Sequence, residues 1–87
     1  MYVILVYDIG EKRVTRVLKA CRMYLSWVQN SVFEGEVTES KLQALKLRLK
    51  KIMKEKEDSV LIYGFRDERM FTKEVMGVEK SPVDSFL

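Results

Sequence analysis

The chain has 87 residues, a mass of 10.3 kDa, a formal charge of +3, no histidine and one cysteine. The missing histidine excludes a Ser-His-Asp triad, a Cys-His dyad and a His-ligated zinc site, and one cysteine closes no internal disulfide and makes no CxxC motif. Any chemistry therefore falls to carboxylates, Lys, Arg, Tyr, Ser and a hard metal ion. The length predicts a single domain over residues 1–87; a chain this short buries only about 60% of its surface, so a second copy would add to its core. Hydrophobic residues make up 47% and charged residues 33%, an ordinary globular balance. The longest apolar run, Val3-Ile4-Leu5-Val6-Tyr7, is far short of the ~20 residues of a membrane span. It has no basic segment before it and meets Asp8 at once, unlike a signal peptide, so the expectation is a cytoplasmic protein with no membrane partner.

Residues 2–8 are β-branched and aromatic, which predicts a buried first strand, and Asp8-Ile9-Gly10 breaks it. A helix is expected over roughly 12–25. Val14, Val17, Leu18, Cys21 and Leu25 share one buried face, and Lys12, Arg16 and Lys19 run along another, with Arg13 and Arg22 at its margins. Residues 27–37 favour strand, either bent or as a pair turned at Asn30-Ser31 or Glu34-Gly35. Thr38 reads as the N-cap of a second helix running to about 56, with Glu39 at its positive end. Leu42, Leu45, Leu49, Ile52 and Met53 form its core stripe, and Lys46, Lys50 and Lys54 an exposed row flanked by Arg48 and Lys51. Residues 59–65 form the next strand. Glu74-Val75-Met76-Gly77-Val78 reads as a short C-terminal strand before a tail containing Pro82 and Phe86-Leu87.

Strand, helix, strands, helix, strand is the order of an α+β, ferredoxin-like βαββαβ sandwich with an extra short C-terminal strand. Two helices cover one sheet face and leave the other to a second copy, predicting a homodimer in which residues 74–87 pack on the partner and extend its sheet edge. The modest net charge conceals a division. Residues 12–56 hold twelve basic and four acidic side chains, a local +8, whereas the rest holds four basic and nine acidic, −5. The basic part is a candidate surface for nucleic acid, with Lys12, Arg13, Arg16, Lys19, Lys46 and Lys50 as phosphate contacts. Solvated helix faces are the plainer alternative.

Asp8, at the end of a hydrophobic strand and ahead of a basic helix, is a hard-cation ligand or a local cap. One carboxylate is too few for a Mg²⁺ site, although Mg²⁺ commonly uses one or two with several waters, and a two-fold dimer would supply a second Asp8. Arg13 and Arg16 can grip phosphate oxygens or stay solvated. Tyr7 either packs in the core or lines a site beside Asp8. Phe33 is a core ring or a stacking surface for a base, and Cys21 reads as a small core hydrophobe.

Val6-Tyr7-Asp8-Ile9, Arg13-Val14-Thr15-Arg16-Val17, Val28 through Thr38 (Val-Gln-Asn-Ser-Val-Phe-Glu-Gly-Glu-Val-Thr), Glu57 through Tyr63, and Val75 through Lys80 together resemble a known family. It is the smaller of the two universal CRISPR adaptation proteins, the CRISPR-associated endoribonuclease type. The resemblance runs through nearly the whole chain, and its Gln-x-Ser-Val-Phe-Glu-Gly segment is quite specific. It implies a ferredoxin-like homodimer with Asp8 as the metal ligand from each subunit, a Mg²⁺ (or Mn²⁺) cofactor, and Tyr7, Arg16 and Phe33 as further catalytic positions. It also implies endonuclease action on single-stranded RNA or double-stranded DNA during spacer acquisition for antiviral defence, together with the larger adaptation protein, an integrase. The implied alternative is a non-catalytic DNA-binding scaffold that bridges that integrase. The position before Val28-Gln29, often arginine in the family, is Trp27 here, which puts one family phosphate contact in question. The acidic, apolar C-terminal segment is the expected contact for the larger protein.

Overall fold

A computed structural model describes residues 1–81. Strand β1 (Tyr2–Asp8) is followed by helix α1 (Val14–Arg22), strands β2 (Ser26–Gln29) and β3 (Val32–Glu36), helix α2 (Glu39–Ile52) and strand β4 (Ser59–Phe65), with a short 3-10 turn at Glu68–Met70. The four strands form one antiparallel sheet in the order β2-β3-β1-β4, the ferredoxin-like arrangement that the element order predicts. No helix among the described residues is long and apolar enough to cross a membrane.

Side chains alternate across a strand, so each strand serves both faces. Val3 and Leu5 of β1 and Phe33 of β3 point toward the helical layer and join Val17, Ala20, Cys21, Leu42, Leu45 and Leu49 in the buried core. The opposite parity, Tyr2, Ile4, Val6 and Asp8, faces away, alongside Leu61 and Tyr63 of β4, which are 52% and 53% exposed.

The chain between β2 and β3 turns at Asn30-Ser31, the first of the two expected alternatives. Asn30 takes the left-handed conformation (φ 43°), which asparagine tolerates better than most residues, and the Trp27 indole N–H donates to its carbonyl at 3.0 Å. Gly35 lies inside β3 instead, opposite Val3; a Cβ there would meet Leu25 Cδ2 at 3.3 Å, so its role is close packing under Leu25. Trp27 is half-buried against the core.

Thr38 caps α2 as expected, its hydroxyl accepting the Lys41 N–H at 3.2 Å. The helix stops at Ile52 rather than near 56, because Met53 turns extended (ψ 152°) and the Lys54 N–H is taken by the Asp58 side chain. Helix α1 likewise begins two residues late: the Gly10 carbonyl accepts the N–H groups of Arg13 and Val14 in a tight turn first.

Residues 74–78 form no strand in the single chain. Just before them, Phe71 packs on Tyr2 and Phe65, with ring centroids 5.3 and 4.8 Å apart, and Lys73 Nζ reaches Glu34 Oε2 at 2.6 Å. These contacts draw the chain across one end of the outward sheet face instead of along the edge of β4. Pro82, Phe86 and Leu87 lie outside the described residues.

Candidate functional site

Asp8 is the last residue of β1 and is exposed. It sits in register with Ser59, the first residue of β4, and shares the outward face with Val6 and Leu61. Residues before it are held in a central strand with neighbours on both sides, and Asp8 itself is exposed at the strand's end.

Tyr7, one residue earlier, projects to the other side. It is half-buried against the core, its ring 6.3 Å from that of Phe33, and burial raises its phenol pKa. Phe33 itself is 0% exposed. The expectation that Phe33 acts as a catalytic or base-stacking residue therefore meets a correction: β3 alternation points its ring into the helical layer, where it bears on Tyr7 and touches no solvent.

Arg16 is exposed on α1 and lines a groove of about 570 Å³ with Ala44, Leu47, Arg48, Lys51 and Ile52 of α2. Lys46 and Lys50 border a second groove, of about 400 Å³, between α2 and β4, and Lys12 and Lys19 are exposed as well. The helical layer is thus a basic surface with an apolar floor, suited to phosphates. It lies across the sheet from Asp8. Within one chain the structure brings Arg16, Arg48 and Lys51 together, and it does not bring Arg16 to the carboxylate of Asp8.

Arg13 is not part of that surface. Its side chain is 12% exposed and forks onto Asp58, Nε to Oδ2 at 2.6 Å and Nη2 to Oδ1 at 2.9 Å. The expected phosphate contact at Arg13 is corrected accordingly: its guanidinium is spent on an internal carboxylate. Asp58 also accepts the Gly10 N–H (2.8 Å, to Oδ1) and the Lys54 N–H (2.9 Å, to Oδ2), so each oxygen receives two donors. Its side chain is fully buried, and the Arg13 guanidinium with the two amides holds its carboxyl far below the usual carboxylate range. Sequence reasoning misses Asp58. Its one local signal is an acidic residue placed directly before a hydrophobic strand.

For a divalent cation the donor chemistry is thin but suitable. Asp8 offers one hard, accessible carboxylate, and no group of three His, Cys, Asp or Glu side chains converges among the described residues. One chain alone fits a largely hydrated Mg²⁺ held at a single carboxylate, a mode that ion accepts.

Residues 1–73 match the family described as CRISPR associated protein Cas2. The chain is 51% identical over 87 residues to the CRISPR-associated endoribonuclease Cas2 of Methanothermobacter thermautotrophicus, covering all of this chain and 96% of that one. It is equally identical to that of Thermotoga maritima, across 100% and 99% of the two chains. Among solved structures, one described as "Crystal structure of cas2" superposes with a TM-score of 0.86 at 54% identity, over 94% of this chain and 92% of that one. Streptococcus pyogenes Cas2 superposes with a TM-score of 0.78 at 36% identity, over 88% and 100%. The family match over residues 1–73, the full-length identity and the superposition over 94% of the chain agree, and the chain belongs to the Cas2 family of CRISPR-associated proteins.

Proposed function

We propose that this protein is a divalent-metal-dependent endonuclease of CRISPR adaptation that works as a homodimer on RNA or double-stranded DNA. The observation that carries it is the place of Asp8: an exposed carboxylate at a rigid strand end, on an apolar sheet face that the chain's own helices leave uncovered. Two such faces packed about a two-fold axis bring a second Asp8 toward the first, and Mg²⁺ or Mn²⁺ would be held by this pair of carboxylates. The chemistry such an ion supplies is polarisation of the scissile phosphodiester and activation of water. Tyr7, braced on Phe33, supports the strand end from the core side. Arg16, Arg48, Lys51 and the lysines of α2 track the phosphate backbone. In the dimer, residues 74–78 would become a strand by adding to the edge of the partner's sheet.

The relatives named as endoribonucleases support this reading. A second reading, a DNA-binding scaffold that bridges the larger adaptation protein, an integrase, is favoured by the separation of the basic helical layer from Asp8. Asp8→Ala separates the two. The nuclease reading expects purified mutant dimer to lose Mg²⁺-dependent cleavage and keep salt-sensitive nucleic-acid binding. Undiminished cleavage by the mutant would overturn the nuclease reading, and spacer acquisition that survives Asp8→Ala but not Lys46→Glu/Lys50→Glu would establish the scaffold.

A further inference from the structure

Asp58 ties together three stretches of chain that meet beside Asp8. The Gly10 amide that it accepts lies two residues beyond Asp8, and its sequence neighbour Ser59 is the cross-strand partner of Asp8. The Arg13 fork holds the start of α1, and the Lys54 amide anchors the chain leaving α2. The Gly10 carbonyl is occupied too, by the amides of Arg13 and Val14 at 2.9 and 3.1 Å. The segment following Asp8 is therefore bonded through both polar groups of Gly10, and Asp8 itself is fixed from the side by β4. A buried carboxylate with four donors is more than helix termination needs, since the Lys54 bond alone caps the end of α2.

We propose that Asp58 is a positioning residue for Asp8: by clamping Gly10 and Arg13 it fixes the Asp8–Gly10 backbone so that the Asp8 carboxylate meets a divalent cation in one orientation. The inference rests on the reading of Asp8 as a metal ligand. Partners that orient a metal ligand typically change metal affinity or activity by about 10- to 100-fold when removed.

Two variants disturb the clamp from different sides. Asp58→Asn replaces one acceptor oxygen with an amide donor, so two of the four donors lose their acceptor. Gly10→Ala keeps both Asp58 and Arg13 in the sequence but puts a Cβ 2.5 Å from Arg13 Nη2 and 3.2 Å from its Cζ, which forces the guanidinium aside. Three quantities are read on folded protein below its melting temperature: amide exchange at position 10 and at Leu5 without metal, Mn²⁺-induced broadening of the amide signals of Ile9 and position 10 without nucleic acid, and Mg²⁺-dependent cleavage. The expected result is faster exchange at position 10 with Leu5 unchanged, a Mn²⁺ half-saturation raised about 10- to 100-fold, and a kcat lowered over the same range at unchanged KM for nucleic acid. A clamp that only stabilises the fold would lower the melting temperature and leave the Mn²⁺ titration as in the wild type, which overturns the proposal. If Asp58→Asn does not fold, Gly10→Ala decides alone. Asp8→Ala is the control: if Mn²⁺ broadening persists in it, the metal-ligand reading itself fails; if broadening is lost there but normal in folded clamp variants, only the positioning role fails.

Discussion

Four donors converge on Asp58, and they make its charge part of the fold. Its carboxyl titrates below the ordinary value of 3.8, so the folded state binds fewer protons than the unfolded one as the pH drops. The stabilisation is complete above the unfolded carboxylate pKa and is lost progressively as the pH falls beneath it toward the lower folded value. Melting temperature measured from pH 7 to pH 2 should accordingly fall steeply below about pH 4 in the wild type, and more gently in Asp58→Asn. Cys21 makes the opposite case: fully buried in the core, its thiol is pushed up to about 11 by burial alone. A thiol reagent at pH 8 should leave Cys21 unmodified in the native protein and label it at the rate of unfolding; prompt labelling would contradict its placement. Cys21 is legible from the helical stripe it shares with Val17. Asp58 is not, because three of its four donors lie 45 and 48 residues away, and nothing in Glu57-Asp58-Ser59 names them. Arg13 misleads for the same reason: a basic residue beside Lys12 and Arg16 looks like its neighbours until its partner arrives from across the fold.

At the scale of elements, local signals carry most of the architecture. The Thr38 cap, the Leu42/Leu45/Leu49 stripe and β4 stand as their sequence implies, since each depends on contacts within a turn or on simple alternation. Thr38→Ala should cost about 1 kcal/mol, seen as a fall of roughly 4–8 °C in melting temperature. Leu45→Ala, which empties a fully buried position, should cost about 2–5 kcal/mol by denaturant titration. The β2–β3 pairing carries two turn signals, and alternation alone cannot choose between them; packing does so, because Gly35 is needed where Leu25 crowds β3. Asn30→Gly should therefore be tolerated, whereas Asn30→Val should destabilise by about 1–2 kcal/mol. The C-terminal strand is legible as a pattern, but a strand also needs an edge to pair with, and Phe71 and Lys73 hold the start of this segment on the chain's own sheet face instead.

For the whole molecule, the sheet divides two surfaces. The helical side carries the exposed basic residues of α1 and α2; the outward side carries Asp8 with exposed Leu61 and Tyr63. Sequence can total the charge of each stretch but not place Arg16 and Asp8 on different sides, because that needs the parity of β1 and the layer of α1 together. The division makes the two surfaces separately testable. Leu61→Glu with Tyr63→Glu should convert the proposed homodimer, of twice 10.3 kDa, to a species of 10.3 kDa by light scattering while the far-ultraviolet spectrum is retained. Lys46→Glu with Lys50→Glu should leave the mass unchanged and flatten the salt dependence of nucleic-acid binding, by roughly one logarithmic unit of slope for each phosphate left without its cation. The clamp at Asp58 has a consequence in time as well as in space. On the ribosome the carboxylate that secures the turn behind Asp8 arrives some fifty residues after Asp8 itself, and closing so long a loop requires the intervening sheet and helices to be in place. A nascent chain released before β4 would carry Asp8 on an untethered strand end, so the candidate centre matures only once Asp58 and β4 have been made.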